Sequence, residues 1–435
     1  MFLNYTHTPI IQLLALGDRN LLIIGGRTVL ALLLVAVQWY VLRAMLRMIG
    51  SMQLDPRKLR ILNRAAGVFV AVVNLPLAYF LIEGFFKPTG LLLYSPPQAY
   101  EPVIRPLAYV FFVWTIGSLL FAAASPIAMA CFAAVQFFRR RKDENQGNET
   151  VRVFDLSRRR FLRIALTAVS AMPFAVSAYG AVSARSRKVV EKVTVPIRGL
   201  PSQFEGLTIV HLSDIHSGMF MKESDMAEYA RIATGLKPDI IALTGDFVAT
   251  HKDQVAPFIR AMSLLEAKYG VFGCLGNHDI FTHSEETLAQ GFASAGFRLL
   301  RNKNEIMEID GARLNIIGVD YLFASSSTAD TLERALRKMS LEGTTILLQH
   351  APQLFPQAAK LGIDLTLSGH THGGQIALTI GEMVIAPASL STMFLAGLFK
   401  IDESHLYVNR GLGTTGPPIR INAPPEITHI TLKAS

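Results

Sequence analysis

The chain has 435 residues, 51% of them apolar and 17% charged, with a mean hydropathy of +0.35. That length implies more than one domain, and the apolar, weakly charged composition excludes a disordered chain, a coiled coil and a collagen-like repeat. The net charge of +9 is uneven: residues 1–199 carry 24 basic and 9 acidic side chains, net +15, and the remainder 18 and 24, net −6. An acidic C-terminal part makes a poor groove for a phosphate backbone, so nucleic acid is disfavoured as a partner. Cys131 and Cys274 lie far apart in apolar runs and predict no disulfide.

Four apolar stretches reach the roughly 20 residues that span a bilayer: Leu21–Leu42, Ala65–Phe86, Pro106–Phe138 and Ile164–Ala184. Residues 1–190 are therefore read as an all-α transmembrane region of about four helices, and residues 191–435 as a separate domain. Pro126 is a plausible kink in the third span. Between the first two spans, Arg43, Arg47, Arg57, Lys58, Arg60 and Arg64 outweigh Asp55, a net of +5. Between the last two, nine Lys or Arg from Arg139 to Arg163 outweigh four acids, again +5. The connection from Lys87 to Arg105 is nearly neutral. Basic loops stay in the cytoplasm. The expected topology therefore puts the C-terminal domain outside a bacterial cytoplasmic (inner) membrane. Ser157-Arg158-Arg159-Arg160-Phe161-Leu162-Arg163, before the fourth span, resembles the twin-arginine export signal and agrees. Val182-Ser183-Ala184 offers a cleavage site for signal peptidase.

From about Lys192 the pattern becomes that of an α/β domain. Strands are predicted over Leu207–Leu212, Ile240–Thr244, Val271–Leu275, Leu314–Val319, Thr345–Gln349 and Leu365–Ser368. Helices are predicted over Ser224–Thr234, Gln254–Lys268, Ser284–Ala295 and Ala329–Met339. Five of these strands run into residues that suit a metal. Asp214-Ile215-His216 follows the first, Gly245-Asp246 the second, and Gly276-Asn277-His278-Asp279 the third. His350 ends the fifth, and Gly369-His370-Thr371-His372-Gly373-Gly374 follows the sixth. Ligands bind at the carboxyl ends of strands in such sheets, so the clusters are expected to converge on one crevice.

The donor types carry the chemistry. Asp-x-His, if extended, projects both side chains to one face. A carboxylate after a strand can bridge two cations, an amide oxygen is a neutral ligand, and an imidazole can also handle a proton. Mixed imidazole, carboxylate and amide donors suit Mn, Fe, Zn or similar divalent ions. With no cysteine among them, a structural zinc ribbon is excluded. His211 reads as a strand or supporting residue rather than a ligand.

The ordered series Asp-x-His, Gly-Asp, Gly-Asn-His-Asp, His, Gly-His-x-His resembles the calcineurin-like metallophosphoesterase superfamily over about residues 190–432. It is similar in particular to the bacterial membrane-associated YkuE-type phosphoesterases, as is the ending from Asn409-Arg410-Gly411 to Pro425-Glu426-Ile427. The resemblance implies a two-sheet α/β sandwich flanked by helices, and a centre of two divalent metal ions. Asp214, His216 and His372 would hold one ion; Asn277, His350 and His370 the other; Asp246 would bridge them. His278 would be the catalytic histidine and Asp279 its orienting partner.

The implied activity is hydrolysis of phosphate monoesters or diesters, lipid-linked envelope components among them, on the extracytoplasmic face. In such sites two ions about 3.5–4 Å apart generate a hydroxide at neutral pH that attacks phosphorus in line. The chain has no P-loop and no Gly-x-Ser-x-Gly elbow. The alternative reading is a membrane sensor or transporter whose outer domain binds metal without catalysis. Charges inside the spans, which mark transport paths, are few: Arg27 and Glu83. Arg410 and Arg420 are candidates to touch a substrate phosphate or to serve structure. The apolar stretch Ala388–Lys400 reads as a buried strand and loop, with a membrane-facing surface as the alternative.

Overall fold

The computed structural model describes residues 9–52, 54–78, 101–145, 156–321, 332–333, 336–337, 341–380 and 383–435. Two compact units emerge, one ending at Tyr179 and one running from Gly180 to Ser435.

The first unit consists of long helices: α1 (Pro9–Gly50), α2 (Pro56–Val73), α3 (Glu101–Asn145) and α4 (Leu156–Ser186), the last of which runs on into the second unit. Asp55 caps α2 by accepting from the Arg57 amide at 2.7 Å, and Pro56 at the first turn loses no helical hydrogen bond. Among the described residues three stretches are long and apolar enough to cross a membrane: Val29–Gly50, Glu101–Cys131 and Thr167–Ser186. The expected span Ala65–Phe86 is described only to residue 78, and its remainder lies outside the described residues. Apolar side chains such as Leu32, Val68 and Leu107 are exposed, while Val41, Val70, Val73 and Trp114 are buried against one another. Trp114 stacks on Phe174 at 5.0 Å and donates its indole N–H to Gln38 Oε1 at 2.5 Å. Large apolar side chains exposed along helices of this length suit a lipid solvent.

In the second unit, β1 (Val189–Ile197) pairs in parallel with β14 (Glu426–Ala434), which runs antiparallel to β2 (Thr208–Leu212). Then β3 (Ile240–Thr244), β4 (Val271–Cys274) and β5 (Arg298–Leu299) continue the sheet in parallel. The second sheet has the order β12 (Gly397–Ile401), β13 (Ser404–Val408), β9 (Leu365–Ser368), β8 (Thr344–Gln349), β7 (Ala312–Val319), β6 (Lys303–Ile309). A separate two-stranded ribbon, β10 (Leu378–Ile380) with β11 (Met383–Ile385), pairs with neither sheet.

Alternation along the strands explains the layering. Ile240 and Ala242 meet Ile346, Leu348 and Leu367 of the other sheet, whereas Ile241 and Leu243 face helices on the outside. Those helices are α5 (Glu223–Gly235), α6 (Val255–Met262) and α8 (Glu285–Ser294), with the short α7 (Asn277–Phe281) preceding the last. Ile317, Val319 and Leu347 of the second sheet pack on Leu354 and on Ala358 of α9 (Phe355–Lys360). The result is the expected two-sheet α/β sandwich with helices outside.

All six predicted strands are present. The helix expected over Gln254–Lys268 ends at Met262, and the one over Ala329–Met339 lies largely outside the described residues. Of Ala388–Lys400, Phe394 is buried beside Phe355, Leu390 and Met393 are exposed, and the end forms β12.

Asp246 is followed by Phe247, which stacks on Phe258 of α6 at 4.9 Å and lies 5.2 Å from Phe292 of α8. We expect Phe258→Ala to cost about 3–5 kcal/mol, the usual range for a buried phenylalanine. Thermal unfolding of the full chain should show the loss, with Ile306→Ser, at an exposed position on β6, as the neutral control.

Candidate metal centre

The crossover direction of the parallel strands brings the motifs together. β2, β3 and β4 end at Leu212, Thr244 and Cys274 in one sheet, and β8 and β9 end at Gln349 and Ser368 in the other. Their carboxyl ends carry Asp214, His216, Asp246, Asn277, His278, His350, His370 and His372. Side chains from both sheets meet there. His372 Nε2 is 3.3 Å from Asp214 Oδ1 and 3.1 Å from His216 Nε2. His350 Nε2 is 3.3 Å from Asp246 Oδ2 and 3.2 Å from His370 Nδ1. His216 Nε2 lies 3.6 Å from Asp246 Oδ2. Donor atoms thus fall into three overlapping groups: Asp214, His216 and His372; Asp246, His350 and His370; and His216, Asp246 and His278, within 4.8 Å in each. Asp246 belongs to two of them.

The backbone is bent to aim these groups. Asp214, His216, Asp246, His370 and His372 all have φ between 49° and 71°, the left-handed region that costs a non-glycine residue energy. Loops must also approach closely. A Cβ on Gly276 would collide with Asp246 Oδ1, and one on Gly369 with Asp214 Oδ2. Glycine is required at both positions because a carboxylate occupies the space a side chain would take.

Main-chain groups hold the side chains. The His370 amide donates to Asp214 Oδ2 at 2.9 Å, and the His278 amide to Asp246 Oδ1 at 2.8 Å. His350 Nδ1 lies 2.6 Å from the Thr244 carbonyl, and His278 Nδ1 lies 2.6 Å from the Ala249 carbonyl. A carbonyl only accepts, so each Nδ1 carries the proton and each Nε2 is left for the site.

Electrostatics follow from burial and neighbours. Burial, with the charges around it, lowers His216 to about 3 and His370 to about 4, and holds His372 well below its ordinary value. These imidazoles therefore stay neutral, with lone pairs available. His350 is the exception: burial would lower it, but the Asp246 and Asp214 carboxylates outweigh that and push it up to about 10. Burial raises Asp214. Burial would raise Asp246 too, yet His350 and His278 hold it well below the carboxylate range.

Asp279 departs from the expectation. Its carboxylate accepts from the amides of Asp246 (2.9 Å), Phe247 (2.9 Å), Val248 (3.3 Å) and Gly276 (2.8 Å). The partner of the His278 ring is the Ala249 carbonyl instead. Asp279 therefore shapes the loop that carries Asp246 rather than the imidazole. The reason is geometric: it sits at the N-terminus of the short helix Asn277–Phe281, where a side chain reaches back to main-chain donors. Burial and the neighbouring Asp246 push it up to about 7, against those donors.

Arg420 and Arg410 are structural. Arg420 is fully buried and donates to the carbonyls of Gly413, Arg410, Ala423 and Gly411, and its Nη2 lies 3.2 Å from His372 Nδ1. Arg410 pairs with Glu426 at 2.6 Å and Glu191 at 3.0 Å. His211 is a core histidine bonded to Thr244 Oγ1 at 2.8 Å. Tyr321, which the sequence reading missed, stands 5.7 Å from the His370 ring and 6.1 Å from His350. It lies just past the predicted strand ending at Val319, the only signal that pointed to it.

Residues 207–374 match the calcineurin-like phosphoesterase family. The uncharacterized metallophosphoesterase YkuE of Bacillus subtilis is 31% identical over 64% of this chain and 99% of that protein. The transmembrane protein with metallophosphoesterase domain of Danio rerio is 31% identical over 63% of each chain, so this chain spans less than two thirds of it. Among solved structures, TT1561 of Thermus thermophilus aligns with a TM-score of 0.34 and 14% identity over 48% of this chain and 90% of that one. With the near-complete span of YkuE beside the assembled donor groups, the chain belongs to the calcineurin-like metallophosphoesterases, metal-binding hydrolases of phosphoric ester bonds.

Proposed function

We propose that this chain hydrolyses phosphate esters at the outer face of the cytoplasmic membrane, using two divalent ions. The observation that carries the reading is the pair of donor groups sharing one pocket, with Asp246 at 3.3–3.6 Å from an imidazole of each. Asp214, His216 and His372 would hold one ion, Asn277, His350 and His370 the other, and Asp246 both.

The donors suit that assignment. Asn277 Oδ1 is buried without a hydrogen-bond partner, a costly state for an amide oxygen unless a cation takes the place of the missing donor. The His216 and His372 Nε2 atoms face each other at 3.1 Å, an arrangement a shared cation or proton relieves. When bound, the ions supply positive charge that activates water and draws charge from the phosphoryl oxygens.

The chain's own groups do the rest. His278 holds its Nδ1 proton against the Ala249 carbonyl and presents Nε2 beside His216, 4.6 Å ring to ring. From there a protonated Nε2 can donate to the leaving oxygen or to a phosphoryl oxygen as negative charge grows. Asp279 keeps the Gly245–Asp246 loop in place through the four amides described above. Outward orientation rests on the basic connections flanking the spans and on Ser157–Arg163 read as a twin-arginine signal.

Metal-stripped full-length protein, supplied singly with Mn, Fe, Zn, Co or Mg, should hydrolyse p-nitrophenyl phosphate or its bis ester. His278→Ala should lower kcat by about 10² to 10⁴, the usual worth of a positioned acid. Undiminished turnover in that variant removes its role; no turnover with any metal removes the hydrolase reading for this chain.

Loading should also release protons. His350 keeps its proton in the metal-free protein up to about pH 10 and must give it up to ligate. Because its folded value lies above the ordinary one, its contribution to metal-free stability is complete below about pH 6.5 and is lost as pH rises through about 10. Addition of Zn to stripped protein in weak buffer at about pH 7.5 should acidify the solution by at least one proton per chain. No acidification contradicts His350 as a ligand. For orientation, protease added to intact spheroplasts should digest the catalytic unit; digestion only after lysis reverses the topology.

A further inference from the structure

The exposed large apolar side chains of the second unit are concentrated in one segment of its sequence. Among its described residues, Leu378, Val384, Ile385, Leu390, Met393 and Leu398 are exposed within a run of 21 positions. The other exposed large apolar side chains described in this unit, Val182, Val190, Leu264, Phe281, Ile306 and Leu341, are spread over the rest of its sequence. Leu390 and Met393 are 94% and 81% exposed, values that water alone does not favour for adjacent large side chains. Leu378 pairs across the ribbon with Ile385, so both lie on the same face of β10–β11. That ribbon joins neither sheet, and an isolated two-stranded ribbon is marginal in water.

This surface is built onto the metal centre. β10 starts six residues after His372. A Cβ on Gly374 would collide with Ala386 Cβ, so the ligand loop rests directly on the residue after β11. Thr371, between His370 and His372, donates its hydroxyl to the Leu395 carbonyl at 2.5 Å. The apolar segment thus meets the ligand loop at Ala386 and at Leu395.

The chain supplies the occupant. The apolar stretch of α4 ends at Ser186, and β1 begins at Val189. Only Arg187 and Lys188 intervene, a reach of at most about 11 Å from Ser186 to Val189. β1 pairs in parallel with β14, which runs antiparallel to β2, so this link enters the sheet at the same end as the loops of the metal centre.

We propose that the surface from Leu378 to Leu398 docks on the lipid bilayer, seating Leu390 and Met393 among the acyl chains. On the hydrolase reading above, this selects phosphoesters carrying an apolar anchor, which reach the metal centre without leaving the leaflet.

The test uses the full chain in nanodiscs of phosphatidylethanolamine and phosphatidylglycerol. Cys131→Ser removes the exposed thiol, and Cys274 is buried. An NBD probe is placed at Leu390→Cys or, as control, at Asp310→Cys. Asp310 is exposed in the β6–β7 turn, at the end of that sheet opposite the metal centre. Expected is blue-shifted emission at 390, quenched at least two-fold by nitroxide-bearing lipid, with neither effect at 310. Water-like emission at 390 overturns the proposal, and so does a blue shift that nitroxide lipid leaves unquenched, which would indicate a protein occupant. This readout needs no turnover, so it stands or falls separately from the hydrolase reading. With Leu390→Asp combined with Met393→Asp, p-nitrophenyl phosphate turnover should stay within two-fold, showing an intact centre, while hydrolysis of phosphatidic acid in the disc falls at least ten-fold. Equal loss on both substrates, or on neither, also counts against it.

Discussion

Two carboxylates and five imidazoles sit within contact of one another in a region almost closed to water, and the rest of the catalytic unit is arranged around that crowding. Burying such groups without partners is costly. Here the cost is met by main-chain donors and acceptors rather than by other side chains. The amides of His370 and His278 hold Asp214 and Asp246, and the carbonyls of Thr244 and Ala249 hold His350 and His278. What the main chain leaves unsatisfied, notably Asn277 Oδ1 and the facing His216 and His372 nitrogens, points into one space. A cation would complete that balance, since lone pairs and carboxylates can share it.

Main-chain support of this kind requires loops from two sheets to come closer than side chains permit. Gly245, Gly276 and Gly369 provide the room, and five of the seven candidate ligands accept left-handed backbone to aim inward. Strain at one point is tolerated because the neighbours over-determine it. Asp279 gathers four amides, and buried Arg420 gathers the carbonyls of the C-terminal loops against His372. Both bond to main-chain groups of the loops that carry the candidate ligands.

The catalytic unit is therefore rigid where its chemistry lies and apolar just beside it. One ligand loop, Gly369–Gly374, joins the two: it carries His370 and His372 inward, and the chain then leaves as an exposed ribbon.

The motifs were legible because their chemistry is local. Asp-x-His, Gly-Asp, Gly-Asn-His-Asp and Gly-His-x-His each follow an apolar run that can only be a buried strand, and all six such runs are strands in the structure. The apolar stretches of the N-terminal half were legible for the same reason: length and lack of charge are properties of the segment itself. Strands such as β1, β13 and β14 were not, because mixed or fully buried patterns interleaved with His, Thr and Lys acquire meaning only once a neighbouring strand covers one face. The partner of His278 was misjudged because adjacency in sequence suggested Asp279, whereas a helix start turns that carboxylate back to the amides and brings Ala249 to the imidazole. Tyr321 and the structural standing of Arg410 and Arg420 were likewise beyond the sequence. Sequence alone singled out the groups suited to the chemistry, since that depends on side-chain type; tertiary structure decided which of them touch, since that depends on loops meeting across two sheets.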